Sequence, residues 1–187
     1  MTPRLVTDRL VLRGWREDDK PAYAALNGDP EVMRHFPSTL TAEQSDEMVD
    51  RMAKRWEDHG HGLWAVEVRD TGAFIGFVGL AAPSWTMPFT PCIEVGWRLS
   101  RDAWGHGYAP EGAIAALRWG FEQLDPPGDE FVSFTTTLNA KSRRVMEKVG
   151  LTHDPADDFD HPMLPDWHER RHVLYRIGRG RFVQLHG

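Results

Sequence analysis

The sequence predicts a mixed α/β (α+β) domain, with a sheet at its centre and helices flanking it. Strand-like and helical patterns alternate along most of the chain. Residues 94–99 form a strand-like run that passes through a turn with two glycines into a helix, whose apolar residues recur three and four apart. At 187 residues, the chain is long enough for one domain with a substantial core, which we expect to span residues 1–187.

The N-terminal part predicts one strand followed by helices. Charged and aliphatic residues alternate over 9–13, which is typical of a strand. Acidic residues from Glu17 onward then favour a helix start. Further along, Thr41 and Gln44 form a capping box, which predicts a helix from Thr41 to about His59.

A hairpin is predicted next. The runs 63–68 and 74–80 have strand character, and a turn of aspartate, threonine and glycine separates them. The loop over 82–91 is rich in proline and aromatic residues. Two interpretations of this loop stay open: it lines a pocket, or it covers an edge of the sheet.

The C-terminal part alternates strands and helices. After the long helix, a strand is predicted over 131–138, and Asn139 can cap a helix that ends at Gly150. A last strand is expected over 172–177. The tail over 178–187 is basic and contains glycine, so we expect it to be frayed.

Composition excludes several classes of function. The net charge of −6 argues against nucleic acid as the main partner, because binding phosphates requires an excess of clustered basic residues. The single cysteine, Cys92, excludes an internal disulfide and a zinc site with several cysteines. The longest apolar run, 74–82, is too short to span a bilayer, and no signal peptide is recognisable, so we expect a cytoplasmic protein without a membrane partner.

The turn after the central strand predicts an anion site. Gly105 and Gly107 allow the backbone to approach a ligand closely, and the start of a helix favours negative charge. We expect Pro110 at the first helical position. Phosphate or pyrophosphate is the most plausible ligand, and an ordinary strand–helix connection is the alternative. The turn is neither a P-loop nor a dinucleotide fingerprint, since the required residues do not follow the glycines.

A metal site is not expected. The segment 154–162 contains several aspartates and a histidine, but their spacing matches no calcium loop. Runs of this kind are usually solvated turns.

Three blocks of the sequence resemble the GCN5-related N-acetyltransferase (GNAT) superfamily, in particular its ribosomal-protein N-acetyltransferase-like branch. The blocks are Glu94-Val95-Gly96-Trp97-Arg98-Leu99, Trp104-Gly105-His106-Gly107-Tyr108-Ala109-Pro110-Glu111, and Asn139-Ala140-Lys141-Ser142 with Glu147-Lys148-Val149-Gly150. The resemblance covers nearly the whole chain. It implies a central mixed, mostly antiparallel sheet flanked by helices, and acetyl-CoA as cosubstrate.

The resemblance also implies which residues bind acetyl-CoA. In such enzymes the central strand and the strand after the long helix splay apart, and the pantetheine arm inserts between them. The residues implied here are Trp97, Arg98 and Leu99 for the arm, Gly105, His106, Gly107, Tyr108 and Ala109 for the pyrophosphate, and Asn139 and Ser142 on the next helix. The family pattern usually has Gln or Arg where this chain has Asp102.

Acetyl transfer to an amine requires a base, because an alkylamine is mostly protonated at neutral pH. Glu94 is our candidate, and a carboxylate paired with an arginine is the alternative. Many family members protonate the leaving thiolate with a tyrosine on the helix after 139, but that helix has none here. Ser142 is our candidate for that role. Helix capping is the alternative for both Ser142 and Asn139.

Two functional hypotheses follow. The first is an N-acetyltransferase that moves the acetyl group directly to a primary amine of a small molecule or a protein N-terminus. The second is a module that binds acyl-CoA without turnover. The oligomeric state is open, and a homodimer is compatible with the sequence.

Overall fold

The computed structural model describes all residues from Met1 to Gly187. The helices are α1 (Lys20–Gly28), α2 (Ala42–His59), α3 (Tyr108–Gln123), α4 (Ala140–Val149) and α5 (Arg179–His186). The strands are β1 (Leu5–Val6), β2 (Leu10–Arg13), β3 (Leu63–Val68), β4 (Phe74–Ala81), β5 (Glu94–Leu99), β6 (Glu130–Thr136), β7 (Thr152–His153), β8 (Phe159–Asp160) and β9 (Arg171–Gly178). No helix is both long and apolar enough to cross a membrane.

The strands form one mixed sheet in the order β1-β2-β3-β4-β5-β6-β9-β7, and β8 also pairs with β9. Every pairing is antiparallel except that of β5 with β6. The parallel pair follows from the chain order, because α3 crosses over between these two strands. The predicted fold class is therefore confirmed.

The parallel strands β5 and β6 meet at one point only. Their register has a single pair, Glu94 with Val132, and the amide of Val132 donates to the carbonyl of Ile93 over 3.0 Å. By contrast, β6 and β9 pair from Glu130 to Thr136 without a break. The sheet thus opens a gap between β5 and β6 that begins just after Glu94.

The two faces of β5 have different roles. Val95 and Leu99 are buried in the main core together with α3. Because side chains alternate along a strand, Glu94, Gly96 and Arg98 lie on the opposite face. That face is the one on which α1 and α2 pack, since Arg98 contacts Asn27 of α1.

The capping box of α2 and the hairpin are confirmed by the structure. The Thr41 hydroxyl accepts from the amide of Gln44, and the Gln44 side chain accepts from the amide of Thr41. The hairpin strands occupy β3 and β4. The expectation that Pro110 opens α3 was wrong, because the helix begins at Tyr108, directly after Gly107 with its φ of 79°. Pro110 then falls at the third helical position, where an amide still has no intrahelical partner to lose.

The expectation of a frayed tail was also wrong. Residues 179–186 form α5, and Phe182 is buried against the core with 4% of its surface exposed. Arg181 Nε donates to the carbonyl of Gly150 over 2.6 Å, and His186 Nε2 lies 2.8 Å from the carbonyl of Val149. The carbonyls at the end of α4 thus receive partners from α5, and no local pattern in a basic tail indicates such contacts.

We expect Phe182→Ala to lower the free energy of unfolding by about 3 kcal/mol, because a buried aromatic ring is lost and a cavity remains. Val183→Ala is the matched control, since Val183 is 58% exposed in the same helix turn. Urea unfolding measures both variants. Equal, small effects of the two substitutions would mean that α5 does not dock.

Candidate functional site

The turn between β5 and α3 presents a row of unpaired amides. The amides of residues 105–109 make no hydrogen bond within the protein, and the first amide of α3 to find a partner is that of Glu111, which donates to Gly107. Gly105 and Gly107 have φ values of 80° and 79°, a left-handed conformation that glycine adopts without strain. Gly105 and His106 are exposed. Free amides at a helix start are suited to binding a phosphate group.

Arg9, although far from this turn in the sequence, holds it in place by direct contacts. Its Nη1 donates to the carbonyl of His106 over 2.8 Å, and its Nε donates to Glu111 over 2.7 Å. Glu111 also accepts from the Thr7 hydroxyl over 2.6 Å and from the amide of Arg9. The Arg9 guanidinium lies 5.0 Å from the centre of the Tyr108 ring. Arg9 therefore fixes the turn and adds a half-exposed positive charge beside it.

This role of Arg9 is not evident from the sequence, although the residue lies in the predicted first strand. The signal that could have found it is weak, because Arg9 and Glu111 are far apart in the chain and only the fold brings them together. Asp102, the departure from the family pattern, is exposed and makes no hydrogen bond or ion pair.

The start of α4 lies close to the same turn. Lys141 Nζ lies 3.9 Å from the centre of the Trp104 ring, and Trp104 directly precedes Gly105. Asn139 caps the helix: its Oδ1 accepts from the amide of Ser142 over 3.2 Å, and its Nδ2 donates to Thr135 over 3.0 Å. The capping interpretation of Asn139 is therefore confirmed.

Ser142 is not a capping side chain. Its amide is the group that Asn139 caps, whereas its hydroxyl makes no hydrogen bond in the structure. The residue is half-buried, so the hydroxyl is available to a ligand near the start of α4. The capping alternative for the Ser142 side chain finds no support.

The backbone of β5 faces the gap at alternate residues. Since the carbonyl of Ile93 points to β6, alternation directs the amides of Trp97 and Leu99 to the same side. The Leu99 carbonyl already accepts from Trp104 Nε1 over 2.9 Å. Arg98 pairs with Phe77 of β4, so alternation directs its backbone away from the gap.

Glu94 stands where β5 and β6 part. It has no arginine within 4.0 Å and no hydrogen bond, so the alternative of a paired carboxylate was wrong. Desolvation raises the pKa of Glu94 to about 8. The residue is nevertheless only half-buried, so a ligand can reach it. A carboxyl group with these properties can accept a proton near neutral pH.

The loop over 82–91 covers the sheet beside Glu94. Trp85 packs against Phe134 of β6 and Phe89, with ring centres 5.4 and 6.0 Å away. Val132, the register partner of Glu94, is buried in the same aromatic cluster. The loop therefore covers this part of the sheet, and its residues Met87, Pro88 and Phe89 also line a cavity.

Comparisons with known proteins agree with this geometry. Residues 9–152 match the model of the acetyltransferase (GNAT) domain family. The chain is 32% identical over 192 residues to an Aspergillus fumigatus protein named FsC-acetyl coenzyme A-N(2)-transacetylase, and the match covers 98% of this chain and 79% of that protein.

Solved structures give the same picture. An acetyltransferase from Agrobacterium tumefaciens shares 29% identity at a TM-score of 0.74, and the match covers 95% of each chain. RimL, a ribosomal alpha-N-protein acetyltransferase solved in complex with coenzyme A, shares 14% identity at a TM-score of 0.72, covering 92% of this chain and 96% of RimL. At that identity the likeness to RimL shows the fold alone.

We expect Arg9→Met to weaken the binding of coenzyme A about tenfold, because the turn loses its anchor and the neighbouring positive charge. Isothermal titration calorimetry measures the affinity. Arg4→Met is the control, since Arg4 is exposed and its side chain makes no hydrogen bond or ion pair. Unchanged affinity in Arg9→Met would contradict the role of Arg9.

Proposed function

The chain belongs to the GNAT acetyltransferase family, and from this premise we propose that it transfers the acetyl group of acetyl-CoA directly to a primary amine. The observation that carries the proposal is the gap between β5 and β6, which joins the free amides of residues 105–109 to the unpaired carboxyl of Glu94. One end of this gap suits a pyrophosphate, and the other suits an amine.

Acetyl-CoA is proposed to bind along the gap. The amides of Gly105, His106, Gly107, Tyr108 and Ala109 receive the pyrophosphate, which agrees with their lack of partners in the protein. The pantetheine arm then follows β5.

Several residues along β5 and α4 contact this arm in the proposal. The amides of Trp97 and Leu99 are directed to the gap and can donate to it. Asn139 contacts the arm while it caps α4, because a carbonyl oxygen has a second lone pair. Arg98 lies between Trp97 and Leu99 in the part of β5 that follows the arm, although its own backbone pairs with β4.

The proposed reaction has three steps that this chain supports. Glu94 takes a proton from the ammonium form of the acceptor, directly or through a water molecule. The neutral amine attacks the thioester carbonyl, whose oxygen is polarised by an amide near Leu99. The C–N bond forms and the C–S bond breaks, while the attacking nitrogen loses its second proton to solvent. The thiolate takes a proton from the Ser142 hydroxyl, which solvent restores, and Glu94 releases its proton to solvent. The products are the acetylated amine and free coenzyme A.

The setting of the enzyme is part of the same proposal. We place the chain in the ribosomal-protein N-acetyltransferase-like branch because of its motifs, as a single domain over 1–187 that acts on a small amine or a protein N-terminus. Cys92 is buried and unpaired, which supports a reducing cytoplasm. A homodimer is compatible with the proposal and is not required by it.

Glu94→Gln tests the base. We expect kcat to fall about 100-fold or more, because an amide cannot accept the proton. In the native enzyme kcat rises with pH up to about 8, since Glu94 is protonated below its pKa and cannot act. In Glu94→Gln the rise near pH 8 is lost, and the rate rises only at higher pH, where the amine itself loses its proton. Release of free thiol from acetyl-CoA, measured with a panel of amines, gives both profiles.

Glu122→Gln serves as the control, because Glu122 is exposed on α3 and makes no ion pair. A pH profile of Glu94→Gln that matches the native one would refute the assignment. If acetyl-CoA binds but free thiol is not released from it in the presence of any amine of the panel, the chain is a binding module and not a transferase.

Ser142→Ala is expected to lower kcat about tenfold, because the leaving thiolate loses one hydrogen bond. Stability should change by less than about 0.5 kcal/mol, since the hydroxyl makes no bond in the protein. Ser142→Thr keeps a hydroxyl and should retain most of the rate. Steady-state kinetics and urea unfolding of both variants separate a chemical role from a structural one. A native rate in Ser142→Ala removes Ser142 from the mechanism.

A further inference from the structure

Arg98 is a buried cation without a counter-ion. Only 9% of its surface is exposed, and no carboxylate lies within 4.0 Å of its guanidinium. Nη1 donates to Asn27 Oδ1 over 2.7 Å, whereas the buried Nε has no hydrogen-bond partner. Phe36 and Phe77 contact the guanidinium, with ring centres 4.1 and 5.6 Å from its Cζ.

This arrangement leaves part of the cost of burial uncompensated. Burial lowers the pKa of Arg98, which shows that the protein disfavours its charge. The aromatic rings, the Asn27 amide oxygen and the hydroxyl of nearby Tyr23 stabilise the cation to some extent. Buried arginines are nevertheless usually paired with an anion that accepts from two nitrogens at once. The unpaired Nε lies on one edge of the planar guanidinium, and a carboxylate can accept two hydrogen bonds from such an edge.

Arg98 lies on the same face of the sheet as the proposed amine site. Glu94, Gly96 and Arg98 share one face of β5. A Cβ on Gly96 would meet only the side chain of Glu94, at 3.6 Å from its Oε1, so no other group fills the space above Gly96. The Glu94 carboxylate thus lies over Gly96, the residue between Glu94 and Arg98 on this face. Phe36, whose ring centre lies 4.1 Å from the Arg98 Cζ, is itself 37% exposed, so the group that covers this side of the guanidinium is in contact with solvent.

We propose that Arg98 binds a carboxylate of the acceptor, and that the acceptors are therefore amino acids or other amines that carry a carboxylate. A zwitterion supplies both missing partners on this face: its ammonium group meets Glu94, and its carboxylate meets Arg98. The inference rests on the proposed acetyl transfer and adds the substrate class.

A purely structural role for Arg98 is the competing explanation. Asn27 also donates to the Ser45 hydroxyl over 2.9 Å, so a buried chain of hydrogen bonds links β5 to α1 and α2. A structural role changes stability for every acceptor alike. A binding role changes the preference between acceptors, and this difference can be measured.

The experiment compares amines that differ only in charge at one end. Glycine, β-alanine and γ-aminobutyrate are each paired with the corresponding amide, at saturating acetyl-CoA. The native enzyme should favour at least one carboxylate over its amide by about tenfold or more in kcat/KM. Arg98→Met should lose that preference. Arg98→Lys should keep part of it, since lysine retains the positive charge but lacks the paired N–H donors of the guanidinium.

Arg55→Met is the matched control, because Arg55 also has a buried Nε without a partner and no carboxylate within 4.0 Å, yet lies on α2. Its preference should equal that of the native enzyme. Should Arg98→Met fail to fold, Arg98→Lys and Arg98→Gln give the comparison.

Binding measurements separate this inference from the proposed function. Calorimetric titration of the same pairs into the complex with coenzyme A needs no turnover. If no amine is acetylated but the carboxylates bind more tightly than the amides through Arg98, the proposed function fails and the carboxylate site stands. Equal affinity for both members of every pair in the native protein, or a preference that survives in Arg98→Met, overturns the inference.

Discussion

The single register pair between β5 and β6 is the constraint on which the rest of the site depends. A longer parallel ladder would use the backbone groups of β5 and close the sheet. Since the ladder stops at Glu94 and Val132, the strands leave room for an extended ligand and keep the amides beyond that point free. The same geometry places a carboxyl group at the closed end of the gap. Binding and chemistry therefore share one structural cause.

Charge without a partner distinguishes the face of β5 on which α1 and α2 pack. Most buried charges in this chain are paired, as Arg13 is with Asp19 over 2.7 Å. Glu94 and Arg98 have no such partners, and ionising a buried group without one is costly, which is why the pKa of Glu94 is raised and that of Arg98 is lowered. Stability alone does not explain both on one strand, separated by a glycine. The proposed zwitterionic acceptor would account for both.

The fold and part of the site follow from local patterns. The capping box of α2, the hairpin of β3 and β4, and the cap at Asn139 are short-range interactions, so their residues can be recognised in the sequence. The start of α3 was misplaced at Pro110, because Gly107 closes the turn earlier than the proline pattern indicates. The docking of α5 and the contacts of Arg9 with the turn join residues far apart in the chain, so no local sequence pattern indicates them.

By itself the sequence determined which backbone can bend, which segments form strands or helices, and where free amides follow a strand, because these properties belong to neighbouring residues. Only the tertiary structure decided which charges remain unpaired and where the sheet opens. Arginine and glutamate are present in every soluble protein, and the arrangement of other chain segments around them settles whether they meet water, each other or a ligand. The proposed acceptor site therefore depends on how the whole chain packs.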